Sequence, residues 1–291
     1  EYVTPSFNLA GLEDDFVPQG VCYVDELEAF AVSGYVDGDI SRIYLVDPQT
    51  NTSKRINLLG YKGHAGGIAS RGKDIWVSSS YQVYHLSTDA IKDAPDTITI
   101  PFDGSFKSEV KGSFLCCSDD MLWVGEFYNK DYDVKESHAC GKNRAWAAGY
   151  KISSNIHPNN GKPEQADVIL SIPDEIQGMS ITDEGYVLLS SSYGRTNDSK
   201  LYIYDAYENW AMDEDKGVYF PRWRNNVGKL KMPTLMEGMD YHNDRLFIAF
   251  ESGAQKYSDA KEIIEYAWEV DINTIIKDLK KCSLRTAFSI L

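Results

Sequence analysis

Five short stretches decide the fold: Gln19-Gly20-Val21, Gly66-Gly67-Ile68, Lys111-Gly112-Ser113, Gln177-Gly178-Met179 and Glu237-Gly238-Met239. Each places a glycine at the head of a short strand, and they return at intervals of roughly 50 residues or a little more, which is the mark of a repeat architecture. About ten residues past each glycine lies a second, apolar strand, at the spacing of a tight meander. These second strands are Phe30-Ala31-Val32, Trp76-Val77-Ser78, Trp123-Val124-Gly125, Val187-Leu188-Leu189 and Leu246-Phe247-Ile248. A third strand follows at 43–47, 83–87, 149–152, 201–205 and 266–271, commonly ending on polar or acidic residues. A weaker fourth closes the first four units, at Ser53–Leu58, Thr97–Ile100, 167–172 and 228–232.

Four antiparallel strands per unit, repeated five times, predict an all-β chain: a five-bladed β-propeller with four-stranded antiparallel blades. The glycine has a physical reason, because innermost strands converge on the axis and a residue without Cβ lets them approach. The fifth unit lacks a fourth strand, while residues 3–9 form a strand with no unit before them. The ring is therefore expected to be closed by the N-terminal strand, which removes an exposed edge. The alternative draws that strand from 284–291. Residues 271–281 could be helical. The whole chain reads as one domain, with blades at about 18–63, 64–109, 110–175, 176–235 and 236–291 plus 1–17. A solenoid is the rival architecture, and it would show shorter, more uniform repeats.

In such a meander the residues before each glycine and those ending each second strand meet on one face. The first ring is Gln19, Gly66, Lys111, Gln177 and Glu237, with His64 beside it. The second carries a recurrent tyrosine, at Tyr35, Tyr81, Tyr128 and Tyr193, with Ser252 in the fifth unit. Near it lie Glu126, Glu251 and, on the funnel side, Arg195. A funnel of tyrosines, amides, a lysine and carboxylates has the composition of a small-molecule site. Glu237, Glu126 and His64 are the candidate acid/base residues. Gln19, Tyr35, Tyr81, Lys111, Tyr128, Gln177, Tyr193, Arg195 and Glu251 are the candidate ligand contacts. The tyrosines could equally fill space between blades, and Glu237 could be neutralised by Lys111.

With 44 acidic and 29 basic residues the formal charge is −15, a field that repels nucleic acid and anionic membranes. It suits a polar or cationic ligand, or plain solubility. No apolar run is long enough for a membrane span. No HExxH, HxH or CxxC spacing marks a metal site. Ca²⁺ at the rim is conceivable, but Glu237 is the one carboxylate among the residues preceding the repeated glycines, and Lys111 would repel the ion. No tightly held metal or other cofactor is expected. A GxSxG elbow is absent too. Five cysteines stand at 22, 116, 117, 140 and 282. Cys140 could bridge to Cys116 or Cys117, or these could be small buried hydrophobes. The start at Glu1 without Met suits a trimmed secretion product or a shortened chain, and a monomer in the cell envelope or outside the cell is the expectation. Two loops are long: 129–144, on the funnel face and a possible lid, and 206–226, on the opposite face and a partner contact or a packed loop.

Pro18-Gln19-Gly20-Val21, His64-Ala65-Gly66-Gly67-Ile68, Ser191-Ser192-Tyr193-Gly194-Arg195, Glu237-Gly238-Met239 and Phe250-Glu251-Ser252-Gly253-Ala254 resemble a group of secreted bacterial five-bladed propellers of unassigned activity. More weakly, Gln19-Gly20, Gly34-Tyr35 and the strand 42–47 are similar to the five-bladed glutaminyl cyclases of plants and bacteria. That likeness implies an acid/base enzyme, yet those cyclases carry a glutamate just ahead of the turn, where this chain has Ala31-Val32-Ser33. Calcium-dependent lactonases are similar only in being propellers.

Overall fold

The structure is a computed structural model that describes residues 2–132, 134–152 and 161–288. Its strands form five sheets around one axis. Blade one runs outward through Val17–Val24, Ala29–Tyr35, Arg42–Val46 and Ser53–Leu58. Blade two uses Gly67–Arg71, Asp74–Ser79, Gln82–Ser87 and Gly104–Lys107. Blade three has Phe114–Ser118, Met121–Gly125, Ala145–Lys151 and Val168–Ile172. Blade four has Ile176–Ile181, Val187–Ser191, Ser199–Tyr204 and Asn226–Met232. Blade five takes Met236–His242, Arg245–Phe250 and Tyr266–Val270, and its outer strand is Val3–Asn8 from the other end of the chain. The ring is closed by the N-terminal strand, as expected.

The inner strands show why the repeat begins as it does. A Cβ on Gly67 would lie 2.3 Å from the backbone nitrogen of Leu115 in the next blade, and one on Gly238 would lie 2.7 Å from the Cα of Gly20. No side chain fits between backbones that close. Just before the glycines the ladder slips: the pairing shifts between Pro18 and Gly20, between Ile176 and Gly178, and between Met236 and Met239. These bulges free Gln19, Gln177 and Glu237 from the regular alternation, and re-aiming a side chain is what a bulge does beside a functional site. Between blades the apolar faces interlock, for example Ile43, Leu45 and Ile56 against Ile75, Val77 and Leu86. Each such side chain contributes about 1.5–3 kcal/mol by leaving water.

One outer strand differs from the sequence reading, and two other outer segments decide between its alternatives. Thr97–Ile100 is not the fourth strand of blade two; it pairs in parallel with Ser53–Leu58 on blade one. Gly104–Lys107 takes that place, because Phe106 must bury against blade three while the Thr97–Ile100 strand buries Ile100 beside Leu58. Residues 284–288 are helical rather than a strand, continuing the Ile272–Phe288 helix, whose Leu279 side chain packs near Gly228 on blade four. The segment 289–291 lies outside the described residues. Within the 206–226 loop, Ala211–Asp213 and Val218–Phe220 form a hairpin that extends the outer edge of blade three in parallel with Val168–Ile172. That covers an edge strand and buries Trp210, so most of this loop packs on the propeller.

Among the described residues no helix is long and apolar enough to cross a membrane. Cys22, Cys116, Cys117 and Cys140 form no disulfide. Burial raises the thiols of Cys22 and Cys116, as befits small buried hydrophobes.

Candidate functional site

At the end of the axis where the inner strands begin, the blades leave a cavity of about 600 Å³. Its wall takes Gln19, Lys111 and Gln177 from the ring before the glycines, His64 beside it, and Tyr35, Tyr193, Arg195 and Glu251 from the ends of the second strands. Eight of the residues singled out from sequence therefore share one cavity. Glu237, Glu126, Tyr81 and Tyr128 do not line it.

Glu237 sits directly behind the wall. Gln177 donates to its Oε1 at 3.0 Å, and Gln19 donates to Glu251 Oε2 at 2.9 Å. Both carboxyls are buried and act on each other, so each amide steadies one member of a carboxyl pair. Burial pushes Glu251 up to about 7, against Tyr257, Gln19 and Glu237, whose hydrogen bonds favour its anion. Burial, the charge of Glu251 and the hydrogen bond donated to it hold Glu237 well above the usual carboxyl range. Burial and mutual repulsion both oppose the ionisation of a second carboxyl in such a pair.

The aromatic wall surrounds this pair. Tyr35 stacks on His64 with ring centroids 4.5 Å apart. Burial, followed by the charge of Lys256, lowers His64, which favours a neutral imidazole. Tyr257 receives the Arg195 guanidinium over its ring at 4.8 Å, and Arg195 is also paired with Asp259. Lys111 makes no ion pair among the described residues and remains an available cation in the wall.

Glu126 has another task. It is fully buried, with His138 Nδ1 2.7 Å from its Oε2 and the backbone nitrogens of Trp146 and Lys111 donating at 3.1 and 3.2 Å. His138 stacks on Trp146 at 3.8 Å. The carboxylate thereby ties the 129–144 loop to the inner strand carrying Lys111, and that loop brings Tyr132 to the cavity. Glu126 and Glu251 end equivalent strands, but His138 of the long loop and the backbone nitrogens of Trp146 and Lys111 hold Glu126 away from the cavity. Tyr81 lies beneath the Lys135 ammonium at 5.5 Å. Tyr128 faces a second cavity of about 350 Å³ with Asn129, Lys130, Asp174, Glu175 and Tyr193.

Tyr257 and Lys256 escaped the sequence reading. The repeat placed Ser252 where the other units have tyrosine, whereas in blade five two short 3-10 turns, Glu251–Gly253 and Gln255–Tyr257, carry the chain onward and return Tyr257 to the wall. Two aromatic residues of unit three, Phe127 and Tyr132, also line the cavity; nearness to Tyr128 could have flagged the first, and its place in the funnel-face loop 129–144 the second.

Among the described residues no three His, Cys, Asp or Glu side chains converge as a metal-holding group. Glu251 is the one carboxylate among the described residues that line the cavity.

The raised carboxyls also predict a pH dependence of stability. At the far end of the inner strands burial drives Asp240 up to about 7, although it accepts a hydrogen bond from Tyr23 N at 2.8 Å. Like Glu251, it binds a proton in the folded chain at pH values where the unfolded chain has lost it. Stability is therefore fully present below the ordinary carboxyl range and falls as pH rises toward about 7. Carboxyls lowered by exposed hydrogen bonds, such as Asp39 and Asp198, act below that window. Urea midpoints should decrease from pH 5 to pH 8; a flat profile would mean that these carboxyls are solvated.

No protein-family model matches the chain, and no curated protein matches it in sequence. Solved structures do. Glutaminyl cyclase from Myxococcus xanthus is similar over 93% of this chain and 94% of its own, at 10% identity and a TM-score of 0.51. The PQQ-bound aldose sugar dehydrogenase from Streptomyces coelicolor matches over 86% and 77%, at 15% identity and a TM-score of 0.47. A putative glucose dehydrogenase from Thermus thermophilus matches over 85% and 79%, at 13% identity and a TM-score of 0.45. At such identities the likeness speaks to the fold, and the chain is a five-bladed β-propeller whose described residues enclose a polar, aromatic-walled cavity on its axis.

Proposed function

We propose that this propeller is an acid/base enzyme acting on a small polar substrate in its axial cavity, with Glu251 as the group that takes and returns the proton. The observation that carries this reading is the buried carboxyl pair, with Glu251 held by Gln19 in the cavity wall and Glu237 held by Gln177 behind it. A pair that holds one proton near neutral pH offers a base and an acid side by side, and environments that push paired groups apart mark acid/base assignments. Lys111 adds a substrate preference. An unneutralised ammonium in the wall suits a carboxylate or other anionic group on the ligand better than the cation suggested by the net charge alone.

In this mechanism Lys111 anchors the anionic end, Tyr35, Phe127, Tyr132 and Tyr193 enclose the body, and Glu251 removes a proton from the reacting group. Glu237 keeps its own proton and stabilises the anion of Glu251 until the transfer. A module that only holds the same ligand is the second reading, favoured by the number of aromatic residues in the wall.

The test is a panel of amides, esters and lactones bearing a carboxylate, with glutaminyl peptides included because of the cyclase likeness, assayed from pH 5 to pH 9. At least one class should turn over, with kcat/KM rising through an ionisation near 7. Saturable binding without turnover at any pH would favour the module.

A further inference from the structure

The available cation of the cavity and one of its aromatic walls come from the same blade. Lys111 stands just before the inner strand of blade three, and Phe127 just beyond its second strand, Met121–Gly125. Two hydrogen bonds tie these points together. Lys111 N donates to Glu126 Oε1 at 3.2 Å, and Phe127 N donates to Ser113 Oγ at 3.2 Å. With both backbones held, the ammonium-bearing side chain and the Phe127 ring enter the same stretch of wall.

Two more rings extend that wall. Tyr132 meets Phe127 edge-on, with centroids 5.6 Å apart and planes at 86°, and Tyr193 lies tilted to it at 6.3 Å. Tyr193 crosses from blade four and is pinned by its hydroxyl, which donates to Asp131 Oδ2 at 3.1 Å. Although both tyrosines line the cavity, Tyr132 is 52% and Tyr193 39% exposed, so much of each still faces water.

We propose that the ligand of this cavity is an aromatic acid, whose planar ring lies against Phe127, Tyr132 and Tyr193 while its carboxylate meets Lys111. This deepens the acid/base reading above and rests on it for what faces Glu251. The inner strands follow one another around the axis in chain order, so blades three and five are not neighbours. A ligand held on Lys111 and Phe127 therefore presents its far end across the axis to Glu251.

The polar groups of the wall argue for a planar ring over a sugar. Hydroxyls on a sugar acid would need partners, yet the Gln19 and Gln177 amides are engaged by Glu251 and Glu237. Ser113 accepts from Phe127 N, and Ser192 accepts from Ser199. Aromatic rings reward edge-to-face or offset contact beyond the area they bury. Arg195, the other cation of the wall, is paired with Asp259, which leaves the carboxylate to Lys111.

The experiment is calorimetric titration of the full chain with phenylacetate, cyclohexylacetate, phenylacetamide and glucuronate. It reads binding alone, so a lack of turnover leaves this inference standing, and its failure leaves the acid/base reading to its own assay. Phenylacetate should bind saturably, about three- to tenfold more tightly than cyclohexylacetate. Its margin over phenylacetamide should be at least about tenfold, because the amide carries no charge for Lys111. Lys111→Gln should erase the acid–amide difference and keep the ring preference. Tyr132→Leu, at an exposed position, should erase the ring preference and keep the acid–amide difference, and Phe127→Leu should repeat that effect. Equal affinity for phenylacetate and cyclohexylacetate, or tighter binding of glucuronate, would overturn the aromatic assignment. Phenylacetate affinity unmoved by Lys111→Gln, or no saturable binding of phenylacetate, would overturn the proposal as a whole.

Discussion

Glu251→Gln should lower kcat on any substrate of the cavity by about 10²–10⁴-fold, the usual contribution of a positioned acid/base group. Glutamine keeps the shape and can still accept from Gln19 and Tyr257, so the cavity should stay folded and KM should change little. A loss confined to kcat is what removing a transition-state interaction looks like. The residual rate should also lose its dependence on the ionisation near 7, because that ionisation belongs to the missing carboxyl. Steady-state kinetics across pH measure both. An unchanged kcat would assign the chemistry elsewhere, with His64 the next group in the wall.

The second large effect concerns stability. Glu126→Ala should destabilise the fold by about 3–5 kcal/mol, the cost of leaving a buried partner uncompensated. The carboxylate serves His138 Nδ1 and two backbone nitrogens from a site sealed from water. Alanine leaves all three without a partner and opens a hole under the Trp146–His138 stack. The damage should spread along the 129–144 loop to Tyr132 and Lys111, weakening ligand binding as well. Glu126→Gln, which can still accept one or two of these bonds, should cost less. Urea unfolding compares the two; a loss under about 1 kcal/mol for alanine would mean that water reaches the site.

Much of this architecture is legible because the propeller repeats one steric problem five times. Wherever inner strands crowd the axis a glycine is needed, and Gly20, Gly67, Gly112, Gly178 and Gly238 can be read off in order. The strand that closes the ring is legible for a similar reason, since residues 3–9 alternate like an outer strand and have no blade before them. The outermost strands are harder to read. Thr97–Ile100 has the pattern of a fourth strand, and a pattern of period two carries no information about which sheet it joins.

The site divides in the same way. Residues fixed by backbone position, such as Gln19 and Gln177 at their bulges, are found from the repeat. Residues whose side chains answer to local donors are not. Glu126 and Glu251 hold equivalent positions, and only the loop folded against each decides that one becomes a buried anchor and the other faces the cavity. Tyr257 and Lys256 arrive through 3-10 turns that break the register of the fifth unit, so counting along the repeat passes over them.

The central claim is that Glu237 and Glu251 share one proton. It is tested most directly by titrating their carboxyl carbons by ¹³C NMR in the ligand-free protein. One carboxyl should ionise near 7 and the other remain protonated well beyond it, and Glu237→Gln should remove the higher step. Two independent ionisations near 4.5, the ordinary value for glutamate, would contradict it.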